Sequence, residues 1–139
     1  MSDQHSVSTD KSLLNVELIH DFLSNRSYWA KGRTIEEVKA TIANSICFGL
    51  YFKDEQVGFC RVVSDKVAFA YVMDFFIVDS HRGKGLSKVL TEEMLAHPDL
   101  LSVNWLLATK DAHNLYRKYG FSEIDNAHRY MKKTGAIDS

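Results

Sequence analysis

Two cysteines and one proline are all that the 139 residues hold of either type, so no disulfide framework organises the chain. Cys47 and Cys60 match neither a CxxC redox pair nor a zinc-ligand spacing. Both fall in apolar, strand-like runs and read as small buried hydrophobes in a reducing cytosol. His20, His81, His97, His113 and His128 show no zinc spacing either, so no metal is expected. Apolar runs long enough to span a bilayer are missing, and the opening MSDQHSVSTDKS lacks the basic and apolar pattern of a signal peptide. A cytoplasmic location, away from membranes, is the expectation. The net charge of -1 leaves no general excess of basic residues, which argues against a nucleic-acid binder, because phosphate neutralisation along a duplex needs an extensive basic surface. The ligand is expected to be small.

What is present suits one folded domain over residues 1–139, with 45% hydrophobic, 12% aromatic and 25% charged residues. Residues 1–10 are polar and flexible in character, with room for one short strand around Val7. Val16, Ile19, Phe22 and Leu23 repeat at helical spacing behind Asn15, a good N-cap residue. Thr34 and Glu37 spell a capping box for a second helix, with Ile35, Val38 and Ile42 on one face. The connector SNRSYWAKGR sets Tyr28 and Trp29 among Arg26, Lys31 and Arg33; it reads equally as an aromatic lid over the core or as a substrate-contacting surface.

The periodicity then changes. Cys47–Phe52, Val57–Val63 and Val67–Val78 are rich in β-branched and aromatic residues, with turn-like KDEQ and SDK between them, and predict an antiparallel meander. A helix carrying Leu86, Val89, Leu90 and Met94 follows and ends before Pro98; a strand comes next at Val103–Ala108. Strand, helix and strand in one sheet imply a right-handed crossover and a parallel pair, so the fold class is α/β with a mixed, twisted sheet flanked by helices. Ala112, Leu115, Tyr116 and Tyr119 share a face of a last short helix, with Gly120 placed as its left-handed cap. Phe121–Ile124 and Arg129–Lys132 are expected to form a closing hairpin.

The most informative stretch is IVDSHRGKGLSKVL, from Ile77 to Leu90, where a strand passes through a basic glycine loop into a helix. At a helix start the first N–H groups lack intrahelical partners and the peptide dipoles add partial positive charge; a phosphate satisfies both. Gly83 and Gly85 allow a left-handed backbone and close approach, and His81, Arg82, Lys84 and Lys88 surround them with no acidic residue between Asp79 and Glu92. A Walker A loop is excluded because Gly85, not Ser or Thr, follows Lys84. A dinucleotide fingerprint is excluded because Lys88 stands where the third glycine belongs, and three antiparallel strands come first.

Arg82-Gly83-Lys84-Gly85-Leu86-Ser87 resembles the signature of the GNAT superfamily of N-acetyltransferases, Arg or Gln, two residues, Gly, one residue, Gly or Ala, with Ser87 departing at the last position. The second signature, Ala, three residues, Tyr and then Gly-Phe, is similar to AHNLYRKYGF with Ala112, Tyr116, Gly120 and Phe121. Where the family often has a cofactor-contacting Asn seven residues before that Tyr, this chain has Thr109. The resemblance spans most of the chain. It implies acetyl-CoA as co-substrate, its pyrophosphate cradled by the N–H groups of Gly83, Lys84, Gly85, Leu86 and Ser87, with Arg82, Lys84 and Lys88 as cationic neighbours. It also implies a pantetheine arm paired like an extra strand with Phe76, Ile77 and Val78, and an N–H near Phe76 polarising the thioester carbonyl.

By the same resemblance Tyr116 is the general acid that protonates the departing thiolate; its spacing alone would make it a core tyrosine. Asp74 is the only charged residue between Val67 and Val78. A buried carboxylate there serves as base, orients a cationic substrate, or pairs with Arg61 on the neighbouring strand. A base matters because an amine of pKa about 10.4 is unprotonated in only about one molecule in 2500 at pH 7, roughly 4.6 kcal/mol. The resemblance implies acetyl transfer to a primary amine of a small molecule or peptide by direct attack, with a homodimer as a common assembly; the choice of acceptor falls to residues outside the two motifs, chiefly Tyr28, Trp29 and Asp74. The rival is a non-catalytic, regulatory CoA-binding module of the same fold.

Overall fold

The computed structural model describes residues 4–135. Local signals place most of its elements. A short strand β1, His5–Ser8, opens the described chain. Asn15 caps α1, Val16–Asp21, by accepting the Leu18 amide at 3.0 Å, and the helix then widens into a π turn over Phe22–Arg26. Ahead of α2, Ile35–Ala43, the capping box is complete: the Thr34 hydroxyl accepts the Glu37 amide at 3.1 Å and the Glu37 carboxylate accepts the Thr34 amide at 2.8 Å.

The meander follows as β2, Ile46–Phe52, β3, Glu55–Ser64, and β4, Phe69–Ile77. β4 starts at Phe69 rather than Val67 because Asp65 Oδ1 accepts the amides of Val67, Ala68 and Phe69 and holds those residues in a turn. After α3, Leu86–Leu95, comes β5, Asn104–Leu106. The sheet order is β1-β2-β3-β4-β5, antiparallel throughout except for the parallel β4–β5 pair, which is the mixed sheet that the pattern predicts.

Two apolar layers sandwich this sheet. On one face α3 packs Leu86, Leu90 and Met94 against Phe48, Cys60, Val62, Ala70 and Val72. On the other, Ile19, Phe22, Val38 and Ile42 from the first two helices cover Cys47, Phe59 and Phe76, with the rings of Phe22 and Phe76 stacked at 4.0 Å. Full burial of each such side chain contributes about 1.5–3 kcal/mol, so both layers count in holding the sheet.

β4 carries the feature that shapes the site. Met73 pairs with Arg61 and Phe76 with Phe59, so two residues, Asp74 and Phe75, oppose the single residue Cys60. Asp74 sits at φ +55°, a left-handed conformation that costs a non-glycine residue on the order of 1–2 kcal/mol. The extra residue shifts the in-and-out alternation of the sequence by one position. Ala70 and Val72 before it and Ile77 after it all join the α3 layer, whereas Phe76 joins the opposite one. β5 pairs with β4 only through Phe69–Tyr71, and beyond Tyr71 and Leu106 no ladder joins the two.

Helix α4, His113–Arg117, is shorter than its apolar repeat, but the turn continues to Gly120 at φ +91°. There the Phe121 amide bonds to the Tyr116 carbonyl at 3.2 Å and the Gly120 amide to that of Arg117 at 3.2 Å, a Schellman closure. The expected hairpin is corrected: Phe121–Ile124 and Arg129–Lys132 form no strands, and Ala127–Arg129 is a single 3-10 turn. Strand preference is realised only against a partner, and the nearest edge, β5, is three residues long.

Candidate active site

Where β4 and β5 part, a cavity of about 950 Å³ opens between Tyr71–Ile77 on one side and Leu107–Ala112, Leu115 and Tyr116 on the other. Arg82, Gly83, Gly85, Leu86, Ser87 and Lys88 border one end, and Arg26, Tyr28 and Trp29 border it as well. Of the residues expected to act in catalysis, cofactor binding or acceptor binding, all border this space except Val78 and Lys84.

The loop is pre-set for an anion by its backbone. Gly85 is the N-cap of α3 at φ +76° and supplies no side-chain cap, which leaves the first amides of a ten-residue helix unpartnered by side chains. Gly83 lies at φ +77°, and a Cβ built on either glycine would meet no protein atom within 4 Å. The space above them is therefore open to a ligand. Arg82 braces the loop, its Nε donating to the Ile77 carbonyl at 3.1 Å and its Nη1 3.1 Å from Asp79 Oδ1. Lys84 and Lys88 are exposed, and neither forms an ion pair among the described residues. The open cradle, the free helix amides and these two lysines fit a pyrophosphate.

The strand edge is more selective than its residue types suggest. The Val78 amide donates to the Val57 carbonyl at 2.9 Å and its carbonyl accepts the His81 amide at 3.0 Å, so both its backbone groups are engaged within the protein. Backbone direction alternates along a strand. Phe76 therefore faces β3 with Val78, and Ile77, whose carbonyl meets Arg82, faces the cavity.

Tyr116 stands at the same cavity from α4, buried, edge-on to Phe75 at 6.2 Å and to Phe121 at 5.6 Å. Burial pushes its phenol well above the ordinary tyrosine range, and buried Cys60 adds to the shift. Among the described residues none forms a hydrogen bond with the phenol. The Thr109 hydroxyl accepts the Ala112 amide at 3.1 Å and so fastens the start of α4.

Asp74 is the most enclosed charge at the site. Its Oδ1 accepts the Trp29 Nε1 proton at 2.9 Å; its Oδ2 accepts from Arg33 Nη1 at 2.9 Å and from Arg61 Nε at 2.6 Å. The ion pair with Arg61, one of three readings of this residue, is present, and Arg61 Nη1 extends it to Ser45 Oγ at 3.1 Å. Arg33 was visible in the connector only as one of several basic residues; nothing in the sequence signalled its partner 41 positions away. Tyr28 meets Trp29 edge-on at 5.2 Å, and Lys110 Nζ lies 5.3 Å from the Tyr28 ring centroid. Lys110, Asp111 and Arg26 are cavity residues that sequence reasoning did not select.

Residues 43–123 match the model of the acetyltransferase (GNAT) domain. A proposed acetyltransferase of Gibberella zeae is 33% identical, over 81% of this chain and 75% of its own. The crystal structure of a GNAT-family protein of Xanthomonas campestris pv. campestris, itself a proposed acetyltransferase, superposes with a TM-score of 0.91 at 43% identity, covering 94% of this chain and 93% of that one. A Mycobacterium tuberculosis protein solved in complex with CoA shares the fold at a TM-score of 0.69 and 13% identity, over 86% of this chain and 73% of its own. This chain belongs to the GNAT family of acetyltransferases. The GNAT fold works with acetyl-CoA. Among the described residues no helix is long and apolar enough to cross a membrane.

Proposed function

We propose that this protein is an N-acetyltransferase that moves the acetyl group of acetyl-CoA to a primary amine by direct attack, with no covalent enzyme intermediate. The observation that carries this reading is the meeting of three parts at one cavity: the open glycine loop, the freed edge of β4 and the buried Tyr116 phenol. Acetyl-CoA supplies the activated thioester. Gly83 to Ser87, with Lys84 and Lys88, hold its phosphates by helix amides and charge. The Phe75 amide, on the cavity side by the same alternation as Ile77, is the backbone donor for the thioester carbonyl, in preference to Phe76. Burial keeps Tyr116 protonated through neutral and mildly alkaline pH, so its phenol retains a proton for the thiolate.

Asp74 holds structure in this reading rather than acting as base, because three donors already occupy its two oxygens. The amine proton then leaves through the open cavity to solvent. Cys47 and Cys60, both unpaired and buried, suit work in a reducing cytoplasm.

The test is to add acetyl-CoA and a panel of amines and to follow free thiol. Acceptor-dependent release supports transfer. Tight cofactor binding with no acceptor-dependent thiol across a wide panel would instead make the protein a CoA-binding module.

A further inference from the structure

Two guanidiniums and one carboxylate meet behind the cavity wall. The side chains of Arg33, Arg61 and Asp74 are 3%, 6% and 0% exposed. Among the described residues no second carboxylate forms an ion pair with either arginine; Glu37, whose pKa Arg33 helps to lower, feels the charge from a distance while its carboxylate is bonded to the Thr34 amide. Arginine stays protonated at any physiological pH, so the cluster buries one positive charge in excess. Arg33 Nε is also buried without a partner. A buried charge compensated only in part is costly, and its field reaches further through protein than through water.

The wall in front of this charge offers little to a cation. Trp29 has spent its one polar hydrogen on Asp74, and what it presents to the cavity is apolar ring. Tyr28 extends that aromatic surface. Lys110, over the Tyr28 ring, forms no ion pair among the described residues, whereas Arg26 is bonded to Asp21 at 3.2 Å on the surface. Among the described residues Asp74 and Asp111 are the only acidic residues at the cavity; the Asp74 carboxylate is enclosed in the cluster, and Asp111 and Lys110 are adjacent and offset each other. With Arg26 matched by Asp21 and Lys110 by Asp111, the buried excess tips this end towards positive charge.

We propose that the acceptor is a primary amine that also bears an anionic group, a carboxylate or a phosphate, held at Lys110 against the Tyr28–Trp29 surface. This rests on the acetyl-transfer reading above. The same excess charge disfavours a nearby ammonium relative to the free amine, and so eases the deprotonation that Asp74 does not perform. Polycationic acceptors are the ones that this end rejects.

The experiment compares matched acceptors: phenylalanine with phenethylamine, phosphoethanolamine with ethanolamine, and spermidine as the opposite extreme. Thiol release gives kcat/KM for each, and calorimetry on the CoA-bound protein gives binding without turnover. The anionic member of at least one pair should exceed its partner by tenfold or more, the pair that responds identifying carboxylate or phosphate. Lys110→Glu should erase that preference while leaving the cofactor-induced rise in Tm unchanged. Equal or better use of the neutral amines and spermidine, or a preference untouched in Lys110→Glu, overturns the proposal. Should no acceptor release thiol, preferential binding of anionic amines keeps the subsite and removes the transfer reading; absence of that preference removes the subsite.

Discussion

The indole N–H of Trp29 donates to Oδ1 of Asp74 at 2.9 Å, joining a connector between two helices to the bulge of a central strand. Arg33 and Arg61 complete the junction from two further directions. Asp74→Asn should therefore destabilise the fold by about 3–5 kcal/mol, since it leaves two buried guanidiniums without their carboxylate. Urea denaturation measures the loss. Trp29→Phe, which keeps the charges, is the milder companion and should raise the acceptor KM more than it lowers kcat. If the folded Asn variant lost the acid limb of its pH–rate profile, Asp74 would be the base after all.

Tyr116→Phe should lower kcat by roughly 10²-fold or more while cofactor affinity stays within a factor of two or three, because only the proton donor is removed. Since burial raises the phenol, activity of the parent protein should persist into mildly alkaline pH without a loss assignable to Tyr116 ionisation. Unchanged turnover in the Phe variant would make Tyr116 a core residue.

Gly85→Val should abolish the thermal stabilisation given by acetyl-CoA while the protein still folds. The position is left-handed and the space above it is open, so the added side chain would fill the cradle. Gly32 is the matched control, at φ +79° with equally open space but away from the cavity lining. Gly32→Ala should cost about 1–2 kcal/mol from backbone strain and leave the cofactor shift intact. Similar loss of the shift in both variants would refute the pyrophosphate assignment.

His5 sets a pH dependence. Burial lowers its pKa below the ordinary 6.5, with His81 and then Lys84 adding to the effect. As pH falls, the unfolded chain takes up this proton before the folded one does. The stability from neutral His5 is thus full above about 6.5 and is lost as pH drops through that value towards the folded pKa. Tm should fall between pH 7 and 5, and less steeply in His5→Gln; equal slopes would remove His5 as the cause. Asp10, Asp21, Glu37 and Asp65, all with lowered pKa values, act below their ordinary 3.8 to 4.5 and leave that window clear.

Much of this was legible in the sequence because its causes are local. The Asn15 cap, the Thr34–Glu37 box, the glycine loop and the Gly120 closure each lie within a few residues of what they determine. The partners of Asp74 were half legible: Arg61 lies on a strand whose pairing follows from the meander, whereas Trp29 and Arg33 arrive through packing of a loop. Which amides of β4 face the cavity could not be read, because an inserted residue changes alternation without changing composition. The closing hairpin failed for the converse reason. Residue preference was present, but the partner edge was too short.

Length at the bulge follows different rules from residue identity there. A substitution at Phe75 keeps its amide on the cavity side, since every residue other than proline brings an N–H. Deleting one residue between Met73 and Phe76 removes the two-against-one step and straightens the strand, while the later positions of β4 keep their partners on β3 and their faces. What is lost is the bend, and with it the reason for β4 to part from β5 beyond Tyr71, so the gap that the cavity occupies would narrow. Position 75 should accordingly be free in type, position 74 should stay acidic for its three donors, and the number of residues between 73 and 76 should stay fixed because the bend depends on it.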